Sequence, residues 1–163
     1  MSLVVFRGLN EISLFSILLM SVFWSCGEQE NSISTNKSLC SQPESGCFSP
    51  SWQAQSDNYH LELLSSDPER PERGVNTWII AVKANDESKE ALTNCELTVV
   101  PFMPEHGHGS PMMPTVSELS AGQYEVNDIV FNMPGLWELE FQVNCLLEAM
   151  QAESMVYTFW LDG

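Results

Sequence analysis

From Trp137 to Cys145 the chain reads Trp-Glu-Leu-Glu-Phe-Gln-Val-Asn-Cys, with apolar and polar residues alternating at every step. A period of two puts one set of side chains on each face of an extended strand, whereas a helix would scatter the apolar set around its circumference. The segment is therefore predicted to be a strand with one face buried and one wet. Other stretches repeat the pattern more briefly. Tyr59, Leu61 and Leu63 share a face, as do Trp78, Ile80 and Val82, and Cys95, Leu97 and Val99. Val116–Leu119, Gln123–Val126, Asp128–Asn132 and Met155–Leu161 read as further extended pieces. Polar or Pro/Gly-rich turns separate them, at Asp67–Gly74, Asn85–Glu90, Ala121–Gly122 and Met133–Gly135. Short strands with turn signals between them predict an all-β sandwich. The stretch with fewest breakers is Leu146–Ser154, a strand-to-strand connection with room for one helical turn.

Five cysteines refine this picture. Cys95 and Cys145 both fall on the buried phase of their strands, so both point into one small core and can reach each other. Cys40 and Cys47 lie in a polar stretch and would close a short local loop. Four half-cystines allow three connectivities; the pattern favours Cys95–Cys145 with Cys40–Cys47, and no CxxC spacing supports a metal site built from thiolates.

The fifth cysteine, Cys26, belongs to the start of the chain. Arg7 precedes an apolar run from Ile12 to Trp24, too short to span a bilayer comfortably and suited to the h-region of a secretory signal. The run ends in Phe23-Trp24-Ser25-Cys26, which resembles a bacterial lipobox, with Phe23 and Trp24 departing from its usual Leu and small residue. That resemblance implies a signal peptide over residues 1–25 and lipidation of Cys26. The anchor would hold the protein to a membrane without crossing it. Gly27 after the lipid-bearing cysteine favours the outer membrane by the enteric sorting rule. Residues 26–51, rich in Ser, Asn and Glu, are expected to be a polar tether. Residues 52–163, about 110 in number, suffice for one domain with one core.

Formal net charge is −16, with only six Lys plus Arg. Such a charge opposes binding to nucleic acid and repels anionic lipid surfaces, so a covalent anchor is useful. The acid residues fall mostly in loops and on polar strand phases, and no D-x-D-x-D-G calcium loop is present. G-x-S-x-G, H-E-x-x-H and P-loop motifs are also absent. Ser110 near His108 lacks a third group to orient a nucleophile–base pair. The chain is not expected to be an enzyme.

Residues 101–114, Pro-Phe-Met-Pro-Glu-His-Gly-His-Gly-Ser-Pro-Met-Met-Pro, hold two of the three histidines and three of the eight methionines. Imidazole and thioether form a ligand set suited to copper. Met103, His106, His108, Met112 and Met113 are the candidate ligands, with Glu105 joining the histidines for Cu(II). Met133 could add a thioether if the fold brings its turn close. Gly107 and Gly109 permit a tight backbone. The bland alternative is that Met103 continues the buried parity of Leu97 and Val99, and that Met112-Met113 is a contact for an envelope protein partner. His60, on the polar phase of its strand, is expected at the surface.

Three elements stand in order: Val99-Val-Pro-Phe-Met-Pro-Glu-His-Gly-His, Leu119-Ser-Ala-Gly-Gln-Tyr and Phe131-Asn-Met-Pro-Gly-Leu-Trp-Glu-Leu. This succession resembles the YtkA-like domain family, over about Tyr59 to Leu161. The resemblance implies an immunoglobulin-like β-sandwich, exported and membrane-tethered. Related FixH-type proteins are linked to copper supply for a haem–copper oxidase. The chain departs from them in having a cleavable leader and added cysteine pairs.

Overall fold

A computed structural model describes residues 46–145 and 151–163. Nine strands form among them: β1 (Gln53–Gln55), β2 (Tyr59–Asp67), β3 (Gly74–Ala84), β4 (Cys95–Met103), β5 (His108–Gly109), β6 (Thr115–Ser120), β7 (Gln123–Phe131), β8 (Gly135–Cys145) and β9 (Glu153–Leu161). Seven of them have six residues or more, which matches the expected sandwich. One sheet has the order β1-β2-β3-β7-β6 and the other β5-β4-β8-β9. All pairings are antiparallel. The chain passes between sheets after β3, after β5 and after β7.

The inner faces are the ones the alternation marks. Leu61, Ile80, Val82, Val126 and Ile129 from one sheet meet Val99, Trp137, Leu139, Phe141 and Val143 from the other. Phe131 packs edge-on against both Trp137 and Phe159, with ring centres 5.0 and 5.6 Å apart. Fully burying each of these aliphatic and aromatic side chains contributes roughly 1.5–3 kcal/mol relative to leaving it exposed.

Cys95 and Cys145 face each other directly in the β4–β8 register and form a disulfide. Two tyrosines hook this end to the opposite sheet. The Cys95 amide donates to the Tyr124 hydroxyl at 3.0 Å, and that hydroxyl donates to the Leu92 carbonyl at 3.1 Å. The Cys145 amide donates to the Tyr59 hydroxyl at 3.2 Å. Cys47 is also disulfide-bonded; Cys40, its expected partner, lies outside the described residues. So do Cys26, the leader and most of the expected tether.

Four expectations need correction. The polar tether is expected to reach Ser51, but the domain begins earlier. Cys47 forms a β-bridge with Trp160 on the free edge of β9, Phe48 is buried against Trp78 and Phe159, and the Tyr157 hydroxyl donates to the Ser49 carbonyl. Burial pushes the pKa of that hydroxyl up to about 12. Next, the two pieces around residues 123–132 are one strand. Asp128, with φ 60°, lies in a bulge on β7, where the three steps from Val126 to Ile129 face two steps of β3 from Trp78 to Asn76, and this absorbs the break in parity. Third, Glu153 and Ser154 belong to β9 rather than to a helical turn; residues 146–150 lie outside the description. Lastly, His60 is 4% exposed. It sits on the outer face, flanked by Gln55 on β1 and Lys83 on β3, so the short edge strand covers what would otherwise be a surface position.

Removing the cystine should destabilise without changing the fold. It closes a separation of 50 residues, for which loop-closure entropy gives about 4 kcal/mol. The Cys95→Ala/Cys145→Ala double variant is expected to melt at a clearly lower temperature by circular dichroism, with an unchanged β spectrum. An unaltered melting temperature would mean that the bond contributes nothing.

Candidate metal site

The candidate loop is built as a hairpin. β4 carries its buried parity through Leu97, Val99 and Pro101 to Met103. Pro104 then ends the strand, because its ring removes a backbone donor. The His106 and Gly107 amides both turn back to the Met103 carbonyl, at 3.2 and 2.9 Å. Gly107 takes φ +66°, a conformation that side chains with a Cβ disfavour. β5 then pairs back, with His108 opposite Met103 and Gly109 opposite Phe102. The Ser110 amide closes the hairpin onto the Pro101 carbonyl at 3.2 Å. A Cβ on Gly109 would lie 2.8 Å from that same carbonyl oxygen, so only glycine fits there.

This geometry sorts the sequence-derived ligands. The His106 and His108 rings lie side by side, with centres 5.7 Å apart at an interplanar angle of 38°. His106 is exposed and His108 half-buried. The His108 Nδ1 is 3.1 Å from the Gly109 carbonyl oxygen; as a donor there it leaves Nε2 as the lone-pair nitrogen. Met103 is 0% exposed. Directly opposed residues on antiparallel strands project to the same face, so Met103 and His108 share one side of the sheet. The Met103 methyl packs against Gly135, where a Cβ would come within 2.8 Å of it. The core reading of Met103 therefore holds for its packing. Met112 and Met113 sit in the crossover to β6, 52% and 58% exposed. Met133 is half-buried in the β7–β8 turn, and its carbonyl accepts the Trp137 indole N–H at 3.0 Å. Glu105 is exposed at the hairpin tip.

Two imidazoles thus come together, while the methionines differ in depth: Met103 is buried, Met133 half-buried, and Met112 and Met113 exposed. No group of three or more His, Cys, Asp or Glu side chains gathers to hold a metal among the described residues. His60 takes no part in the hairpin. Its Nε2 contacts the Glu62 carboxylate at 2.9 Å, Lys83 holds the other Glu62 oxygen at 2.6 Å, and its buried Nδ1 has no partner. The hydrogen bond from Lys83 holds the Glu62 pKa below the ordinary carboxylate value. Sequence reasoning missed this cluster, because a lone residue on the polar phase carries no signal of the edge strand that covers it.

The family model described as YtkA-like matches residues 53–142, more than half of the chain. The chain belongs to the YtkA-like family. The match takes in β1 to most of β8, including the hairpin with its paired histidines. No curated protein sequence matches the chain. Several solved structures are similar to the YtkA-like domain. A copper-bound variant of FetP from uropathogenic Escherichia coli strain F11 superposes with a TM-score of 0.47 at 8% identity, covering 68% of this chain and 93% of that one. Copper-reconstituted P19 from Campylobacter jejuni gives the same score and identity, with the same two coverages. A DUF4426 family protein from Pseudomonas aeruginosa PAO1 gives 0.45 at 9%, covering 67% and 94%. At this distance no residue of those proteins maps onto a residue of this one.

Gly109→Ala tests the hairpin. The added methyl should force Ser110 off the Pro101 carbonyl, raise amide exchange at Gly107 and Ser110, and leave the melting temperature within a few degrees, as expected for a rim change. Unchanged exchange at both amides would show that the close approach does not exist.

Proposed function

We propose that the protein is an exported, lipid-anchored, non-catalytic copper carrier or buffer that binds its metal at the β4–β5 hairpin. The observation that carries the reading is the pair of imidazoles held 5.7 Å apart on a glycine-closed turn. One ion bonded to a nitrogen of each ring at about 2 Å can bridge such a separation. The neighbouring donors are thioethers, which suit Cu(I); for Cu(II), Glu105 beside the histidines is the harder partner. Met103, across the strand from His108, would complete a closed site from below, and Met112 or Met113 an open one from the solvent side. A carrier needs such an accessible rim, since the metal has to leave as well as arrive.

Export is supported by the chain's disulfides, since cystines persist in oxidising compartments. It is supported too by the leader pattern ending at Cys26. The alternative is a module that makes protein contacts in the envelope; the exposure of adjacent Met112 and Met113 favours it.

Copper stoichiometry by equilibrium dialysis and elemental analysis separates the two. The wild-type chain is expected to bind one copper. His106→Ala/His108→Ala should bind none at the same concentration, with an unchanged melting temperature because both rings lie at the rim. Retained copper in that variant sinks the metal reading and leaves the contact module. The mass of the mature N-terminus tests the anchor: Cys26 should carry the diacylglyceryl group and begin the chain.

A further inference from the structure

At the same end of the sandwich, on the far side of the β7–β8 turn, lies a second feature with no part in the hairpin. A half-open cleft of about 410 Å³ opens between the β2–β3 loop and the end of β9. That volume falls in the range of small-molecule sites. Its floor is aromatic, with Phe48 and Trp160. Its walls carry both signs of charge: Arg70 and Arg73 with Glu72 from the loop, and Asp162 from the other side. These are the two arginines of the described residues, placed together in a chain of net charge −16.

The loop wall is preorganised. Asn76 is a buried polar side chain, and its amide is committed to this loop. Its Oδ1 accepts from the Glu72 amide at 3.0 Å, while its Nδ2 donates to the Glu72 carbonyl at 2.9 Å and to the Gly74 carbonyl at 3.1 Å. Burying an amide is unfavourable unless it is fully hydrogen-bonded; here the bonds fix the backbone that presents Glu72 and Arg73. Arg73 also reaches the Asn132 carbonyl at 3.3 Å, tying the wall to the β7–β8 turn. Arg70 and Asp162 make contacts of their own; Glu72 and Arg73 are assigned to the ligand, since the bond to Asn132 uses one of the five guanidinium N–H donors of Arg73.

We propose that this cleft binds a small zwitterion with an apolar body, of the class of free apolar amino acids and di- or tripeptides. The arginine meets the carboxylate, the glutamate meets the ammonium, and the aromatic floor takes the apolar side chain. A simple anion is opposed by Glu72, by Asp162 and by the charge of the whole molecule, and a simple cation by the two arginines. The reading is independent of copper.

The test is a titration of the ¹⁵N-labelled full chain, without metal, by L-leucine and by Leu-Leu. Backbone amides of residues 70–73 and the Trp160 indole should shift, saturating below about 10 mM. Leucine amide, N-acetyl-leucine and N-acetyl-leucine amide each lack one or both charges and should bind at least about tenfold more weakly. Glu72→Gln and Arg73→Gln, both exposed and expected to melt like wild type, should each lose about tenfold in affinity. The tighter of leucine and Leu-Leu assigns the source. No shift from either ligand, equal binding of a singly charged analogue, or wild-type affinity in both variants would overturn the proposal.

Discussion

The constraint on which the rest depends is the locking of β4 to β8 at one end only. The Cys95–Cys145 bond joins directly opposed positions, and the two amides beside it are taken by Tyr124 and Tyr59 of the other sheet. One end of the sandwich is thereby cross-linked within a sheet and hydrogen-bonded between sheets. The ladder then runs from Cys95 to Phe102 and from Cys145 back to Glu138 without a slip in register, and the buried parity continues to Met103 and Gly135. A slip of one residue would turn the whole inner set outward. The position of Met103, and so of the hairpin that follows, is set by this register, which the buried alternation specifies and the covalent bond at the opposite end of the strand reinforces.

That arrangement divides the labour between the ends. The far end carries the hairpin with its two histidines, the β7–β8 turn with Met133, and the cleft beside Arg73. None of these segments contributes a long run of core residues. They are held by a few local hydrogen bonds and close approaches: Gly109 on Pro101, Gly135 on Met103, Asn76 under the β2–β3 loop. Loops mounted in this way on a rigid pair of sheets are where binding residues tend to occur, because their sequence varies without cost to the core.

Much of this is legible in the sequence, for identifiable reasons. Alternation in Trp137–Cys145 marks the buried face correctly, and the parity of Cys95 and Cys145 marks their pairing. Both are local patterns with a fixed period. What fails are properties that depend on a distant neighbour. His60 is buried because β1 lies beside it, and three residues of strand at Gln53–Gln55 carry no periodic signal. Phe48 looks like part of a polar tether because one aromatic among Ser, Pro and Cys has no period either; its place is set by Trp78 and Phe159, far along the chain. The break at Asp128 reads as a boundary, since a bulge and a turn look alike until the partner strand is known. For the candidate ligands, the sequence marks the donor-bearing segment and the buried parity of Met103, but reads the segment as an irregular loop where the structure has a hairpin. His106 and His108 come together because a residue pair flanking one glycine needs little help from elsewhere. Met103 and Met113 differ from complete burial to 58% exposure within the same short segment, because parity along β4 reaches Met103 while Met113 lies in the crossover to β6.

The β7–β8 turn links these findings. Its Asn132 carbonyl accepts from Arg73 of the β2–β3 loop, its Met133 carbonyl accepts from the Trp137 indole, and Pro134 lies where a Cβ on Gly163 would come within 3.4 Å of its ring. The turn is therefore held from both sheets, although it contributes only a half-buried methionine to the core. On one side of it stands Gly135 against Met103, and on the other the charged wall of the cleft. A turn bonded from both directions stands between the two features, with soft, neutral donors on one side and charged side chains beside aromatic residues on the other. Hydrogen bonds to main-chain carbonyls do not depend on the identity of the turn's side chains, so the mount tolerates sequence change while the groups it positions do not.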